Sequence, residues 1–362
     1  MKMEKLIRVR ILLLLLVGCS ALFLGSCKKD STTVAVDKTA LTAAIVSADA
    51  LSASATITDY PQTDITTYKA TLATVKTAAS GTLTQAQVDN LVIQSNAAMT
   101  LLKTKAYGFI DESIYLNAGW HFDEGTGTTA TGFSATKQVA TFKAGNTIIM
   151  GALSMSPTWV DGVKGGKAVY LKGGAHLEVP YTKLFLPVDL SISVWVKPDE
   201  LFENNYIVSQ NFWGGYKLQT QGGGKPFFTY KKADGTGGID ADNELDNSIK
   251  ALVWNHIVIT LNGTTNELKF FVNGTLTKTW TKDNKGIGAL TQTLTKPGPQ
   301  PFLIGCVATD DELANDPDTP WMTWGQTPTS FGYFKGAIDE LKIYNTALTD
   351  GQVSKLYINE KP

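Results

Sequence analysis

Cysteine, histidine and charge are all scarce in this chain of 362 residues, which has three Cys, three His and 18% charged residues. Two of the cysteines, Cys19 and Cys27, fall near the N-terminus, so Cys306 is the single thiol of the remainder. One thiol forms no intramolecular disulfide, which excludes a disulfide framework. Cys306 lies in the apolar string Pro301-Phe-Leu-Ile-Gly-Cys-Val307 and reads as a small buried hydrophobe. His121, His176 and His256 stand far apart in sequence, with no His-x-His or His-x-x-x-His pair to hold zinc. Basic runs with interleaved aromatics are missing as well, which excludes a nucleic-acid-binding stripe.

The leading apolar stretch, Ile11 to Leu24, is too short for a comfortable membrane span. It follows the cations Lys2, Lys5, Arg8 and Arg10, so residues 1–26 read as a signal peptide. Leu24-Gly-Ser-Cys27 resembles a bacterial lipobox, and Cys27-Lys-Lys-Asp30 resembles the polar tether of Bacteroidetes-type lipoproteins. That resemblance implies a diacylglycerol thioether on Cys27 and a lipid anchor in the outer membrane, on its surface or periplasmic face. Leu16-Val-Gly-Cys19 is a rival lipobox, but no charged tether follows it. Loss of residues 1–26 removes four cations and one anion and moves the formal charge from −1 to −4.

Residues 27–36 are polar and Ser/Thr-rich, a flexible tether. The period then becomes helical over 37–107. Leu41, Ile45, Ala48 and Leu51 share a face; Ile65, Tyr68, Leu72, Val75 and Ala79 follow the Tyr60-Pro61 break; Val88, Leu91, Ala98 and Leu102 trace a third helix. Thr84 and Gln87 form a capping box at its start. Three such helices predict a small antiparallel bundle. Its Tyr-Pro break, Thr-Gln-Ala-Gln start and alanine-rich third helix resemble a FIVAR-type module of bacterial surface proteins, which implies a spacer.

From 113 to 362 the period is two. Gly165-Gly-Lys-Ala-Val-Tyr-Leu171, Leu190-Ser-Ile-Ser-Val-Trp-Val-Lys-Pro198, Trp254-Asn-His-Ile-Val-Ile-Thr-Leu261 and Leu268-Lys-Phe-Phe-Val-Asn-Gly274 read as strands, the last closed by an Asn-Gly turn. In the closing stretch, Leu341 and Ile343 face one way and Glu340, Lys342 and Tyr344 the other, as in a half-buried strand. Thr349 and Gln352 then cap a terminal helix. With His121-Phe-Asp-Glu-Gly upstream, these strings resemble, in order and spacing, the laminin-G-like, concanavalin A-type jelly roll. The resemblance implies a mainly β, two-sheet antiparallel sandwich that binds extracellular glycan or polysaccharide, often with one structural calcium. A protein-binding adhesive module is the alternative, and a glycan hydrolase or lyase the third reading.

Paired catalytic carboxylates are not evident. Asp240, Asp242, Glu244 and Asp246 alternate, but among glycines, and read as a solvated loop; Leu245 and Ala251 occupy the places where an EF-hand needs Gly and Glu. The chain is therefore read as non-catalytic. Asp339 is the calcium ligand that the resemblance implies, with backbone carbonyls of the first Gly-rich turn. That turn, Gly132-Phe-Ser-Ala135, lacks the Asp that relatives carry there. Aromatics in loops are the binding candidates, because rings stack on the apolar faces of sugars. Trp213 and Tyr216 lie in the turn-like Asn211-Phe-Trp-Gly-Gly-Tyr216; Trp321 and Trp324 lie beside the acids Asp310 and Asp311 in a long insertion. Packing of these rings on the sandwich is the competing reading for each. Trp195 and Trp254, alternating within strands, read as core.

Overall fold

The computed structural model describes residues 35–57, 59–145, 150–294, 298–309 and 332–362. Three helices come first: α1 (Thr39–Ser54), α2 (Gln62–Ala79) and α3 (Gln85–Lys103). Their inward faces are the expected ones. Leu41, Val75, Val88 and Leu91 form one buried cluster, and Ala48, Tyr68, Leu72 and Leu102 a second. The capping box of α3 is made in full, with the Thr84 N–H donating to Gln87 Oε1 at 2.8 Å. Among the described residues no helix is long and apolar enough to cross a membrane.

The strands follow in the order β1 (Leu116–Trp120), β2 (Thr129–Thr131), β3 (Val139–Lys143), β4 (Thr158–Asp161), β5 (Lys167–Leu171), β6 (His176–Val179), β7 (Leu190–Pro198) and β8 (Asn205–Gln210). Then come β9 (Tyr216–Gln221), β10 (Lys225–Lys231), β11 (Gly238–Asp242), β12 (Asn255–Asn262), β13 (Glu267–Val272), β14 (Thr275–Thr281), β15 (Phe302–Ile304) and β16 (Gly336–Tyr344). The helix α4 (Asp350–Glu360) closes the chain. The pairings are antiparallel. One sheet runs β14-β13-β12-β7-β16-β5-β4, with β1 also on β16; the other runs β11-β10-β9-β8-β15-β6-β3-β2. The two sheets form a concanavalin A-like sandwich around one core, which includes Trp120, Phe185, Phe228, Phe270 and Phe302.

Two strand readings change. β16 is buried on both faces, not half-buried, because α4 lies over its outer side. Lys342 is consequently only 4% exposed and is held by Glu340 and, at 2.7 Å, by Glu360. Glu360 also accepts the Trp195 indole N–H at 2.9 Å. Trp254 is the other case. It sits one residue ahead of β12 and is half-buried, because pairing with β7 begins only at Asn255.

Candidate functional site

The face of the second sheet that turns away from the core carries the polar side chains. Register fixes which of them meet. Glu178, Leu303, Ser209, Lys217, Thr229 and Asp240 lie opposite one another on six successive strands, β6 to β11 across the sheet. Beside this row runs a second: Tyr206, Gln219, Phe227 and Asp242. The alternation Lys217-Leu-Gln219 and Lys225-Pro-Phe227-Phe-Thr229 produces it, since odd positions share one face of the pleat.

Over this face folds a short 3-10 turn, Phe212–Gly214. Asn211 and Phe212 both have left-handed backbone, with φ of 52° and 45°. The turn is tied down where the Ser209 hydroxyl accepts the Phe212 N–H at 3.2 Å and the Asn211 side chain accepts the Gln300 N–H at 2.9 Å. Trp213 is thereby carried onto the sheet with 45% of its surface exposed, edge-on to Phe212 at 4.5 Å between ring centroids.

At the rim the face opens into a cleft of about 690 Å³ bounded by Phe227, Asp240, Asp242 and Trp280. Its charges are largely matched. Lys225 reaches Asp242 at 3.2 Å and Asp246 at 3.1 Å; Lys278 pairs with Glu244; and Asp240 accepts the Thr229 hydroxyl at 2.6 Å. The Trp280 indole donates to the Asp242 carbonyl at 2.7 Å, and Lys278 sits 4.0 Å above its ring. Aromatic faces beside hydrogen-bonding pairs of both signs can hold a polyhydroxylated ring: C–H groups stack, and hydroxyls bridge donor and acceptor.

The sequence-derived candidates divide. Trp213 lies in a turn, as read. Tyr216 does not: it opens β9, is fully buried and packs near Phe228 in the core, so it offers nothing to a ligand. The acidic string is only half a loop, because 238–242 pairs with β10 as β11, which places Asp240 and Asp242 on the open face. Trp321, Trp324, Asp310, Asp311 and Cys27 lie outside the described residues. Lys217, Gln219, Phe227 and Trp280 went unread, although strand alternation marks the first three as sharing a face.

Asp339 is a residue apart from this face. It is 2% exposed, and its two oxygens accept the Val163 N–H at 2.8 Å and the Glu340 N–H at 2.9 Å. Its neighbours thus come from the 162–167 turn and not from the Gly132 turn. Burial pushes its carboxyl up to about 7, with Glu340 and Asp123 adding and the two N–H groups opposing. Among the described residues no group of three or more His, Cys, Asp or Glu is gathered for a metal.

Among curated proteins none matches this chain at a significant level. Solved structures similar to it include domain 4 of AbnA, an extracellular arabinanase from Geobacillus stearothermophilus in complex with arabinotriose: 20% identity, 67% of this chain and 98% of that one, TM-score 0.44. Others are the binding domain of Paraclostridial Mosquitocidal Protein 1 (15% identity, 68% of this chain, TM-score 0.45) and the botulinum neurotoxin serotype D ligand-binding domain in complex with N-acetylneuraminic acid (14% identity, 69% of this chain, TM-score 0.44). This chain spans 52% of each of the two toxin structures. Residues 171–312, which run from β5 past β15, match the model of the concanavalin A-like lectin/glucanases superfamily.

Proposed function

We propose that this chain is a cell-envelope lipoprotein whose sandwich captures extracellular carbohydrate without cleaving it. The observation that carries the reading is Trp213, a tryptophan 45% exposed on the polar face of a lectin-type sheet, joined through the Lys217 ammonium to Phe227, whose half-buried ring lines the cleft. The superfamily match to lectins and glucanases supports the ligand class. In this reading Cys27 carries the lipid anchor in the outer membrane, and the FIVAR-like bundle lifts the sandwich from it. Asp339, a buried hard-oxygen donor whose ionisation a cation would ease, is the residue that would hold a structural calcium.

The test is a glycan array probed with the mature chain and with Trp213→Ala. A glycan should bind, and the variant should bind it roughly tenfold more weakly, the equivalent of about 1.4 kcal/mol. A blank array overturns the reading in favour of a protein-binding adhesive module.

One observation favours a hydrolase. Asp240 and Asp242 share one face of β11 and both line the cleft, so two carboxyl groups stand side by side there. Both, however, sit on one side of any sugar on the sheet. Release of reducing ends from a bound polysaccharide, lost in Asp240→Asn, would establish that second reading.

A further inference from the structure

Lys217 is 3% exposed on the outer row of the second sheet. Its ammonium stands 4.4 Å from the Trp213 ring centroid, 4.9 Å from Tyr206, 5.3 Å from Phe212 and 5.6 Å from Phe227. It donates to Gln219 Oε1 at 2.9 Å and to the Tyr206 hydroxyl at 3.4 Å. Among the described residues no carboxylate lies within ion-pair reach of it, although every carboxylate of the neighbouring cleft has a cation or hydroxyl partner. A buried ammonium is costly without a counter-charge. Here four rings, one amide oxygen and one hydroxyl supply the compensation.

We infer that Lys217 is the positioning residue of this face: its ammonium holds Trp213 and Phe227 as a preformed platform on which a sugar stacks. This rests on the carbohydrate reading for its ligand, but not for its mechanism. The hydrogen bonds of Ser209 and Asn211 fix the backbone of the turn, at Phe212 against a strained φ of 45°, but neither of them reaches the Trp213 ring. Lys217 instead ties the turn to β8 and β10 through one point charge shared by rings from all three. A sugar meeting a preordered ring loses less affinity to side-chain ordering than one meeting a mobile ring. Met at this position would fill the same space without the charge, so packing and positioning are separable.

Burial pushes the Lys217 amine down to about 8, with Asp240 opposing. The ring faces also favour the charged form, so the amine is protonated at neutral pH. The other titratable groups turned toward this spot are the Tyr206 hydroxyl, which burial raises far above its usual value, Asp240 on β11, and Glu203 and Cys306 beside Tyr206. As pH rises through about 8, discharge of Lys217 frees the platform. The stability change has the opposite sign. The folded value lies below the ordinary 10.5, so between the two the folded state binds fewer protons and global stability rises with pH.

The test uses the mature chain. Trp213 emission, taken as wild type minus Trp213→Phe, is followed from pH 6 to 10, and binding of the best array glycan is measured alongside. The wild-type signal should titrate with a midpoint at about 8 or above, the ring faces shifting it upward, and affinity should fall roughly fivefold over the same range, as loss of a cation–π contact allows. Lys217→Met should show no titration and bind roughly fivefold more weakly at pH 7. Lys217→Arg, which keeps its charge throughout, should lose the fall in affinity above pH 8. A wild-type Trp213 signal that is flat with pH, or a folded Lys217→Met that binds like wild type, overturns the inference. If no glycan binds, the emission titration still decides the role of Lys217, and only the ligand reading fails.

Discussion

At the scale of single residues, burial and partner decide what a side chain can do. Tyr216 and Trp213 sit in the same glycine-flanked string, yet one is sealed in the core and the other lies open on the sheet. The difference is set by β9, whose pairing with Gln210 and Tyr230 begins at Tyr216 and turns that ring inward. His256 makes the same point from the other side: fully buried, it is driven down to about 3 by desolvation and by Lys342, so it is a neutral partner of Ser193 and not a base. Asp339 carries the first prediction. If calcium sits against it, adding calcium at a hundredfold excess over its dissociation constant should stabilise the chain by about 2.7 kcal/mol, and Asp339→Asn should abolish that response. For a domain the size of the sandwich the shift in Tm is roughly 2–4 °C per kcal/mol. Melting curves that coincide in calcium and in chelator would remove the metal from this account.

Elements show how local signals and distant pairing divide the labour. The Thr349–Gln352 capping box is local; both of its halves are made, the Thr349 N–H donating to Gln352 Oε1 at 2.9 Å. Thr349→Ala should therefore cost about 1 kcal/mol of stability, read from chemical denaturation of the whole chain. An unchanged midpoint would mean that packing of α4 on β16, through Val353 and Leu356, holds the helix without its cap. The Asn273-Gly274 hairpin is equally local, with φ of 50° and 74° as a two-residue turn of this kind requires. By contrast β11 lay hidden in an acid- and glycine-rich string. Only its five-residue pairing with β10, from Phe227 to Lys231, draws it out of the loop.

On the scale of the molecule, two bodies differ in how much apolar surface they bury. The sandwich has one extended core, whereas the bundle relies on two small clusters around Val75 and Tyr68. The Tyr107 N–H closes the end of the bundle on the Asp59 carbonyl at 2.9 Å, and just after it Gln352 Nε2 of α4 donates to the Phe109 carbonyl at 2.8 Å. If the bundle is a spacer, Leu72→Ala should destabilise it by roughly 2–5 kcal/mol and shift its unfolding to lower temperature. Glycan affinity should stay within about twofold of wild type, since the face that carries Trp213 belongs to the sandwich. A larger loss of affinity would assign the bundle a part in binding.

Periodicity, turn chemistry and caps determined the element types of this protein: the helical faces of Leu41 and Val88, the strand of Leu190–Pro198 and the box at Thr349 all follow from neighbours a few residues away. The sandwich was legible from the order of such strings. Its candidate site was not. Lys217 meets rings from β8, from the 3-10 turn and from β10, and Asp240 meets Thr229 across a ladder. Those neighbours are set by strand register and by the fold of a turn back over the sheet. The sequence states that Lys217 faces the same way as Gln219; only the tertiary structure decides what stands over it.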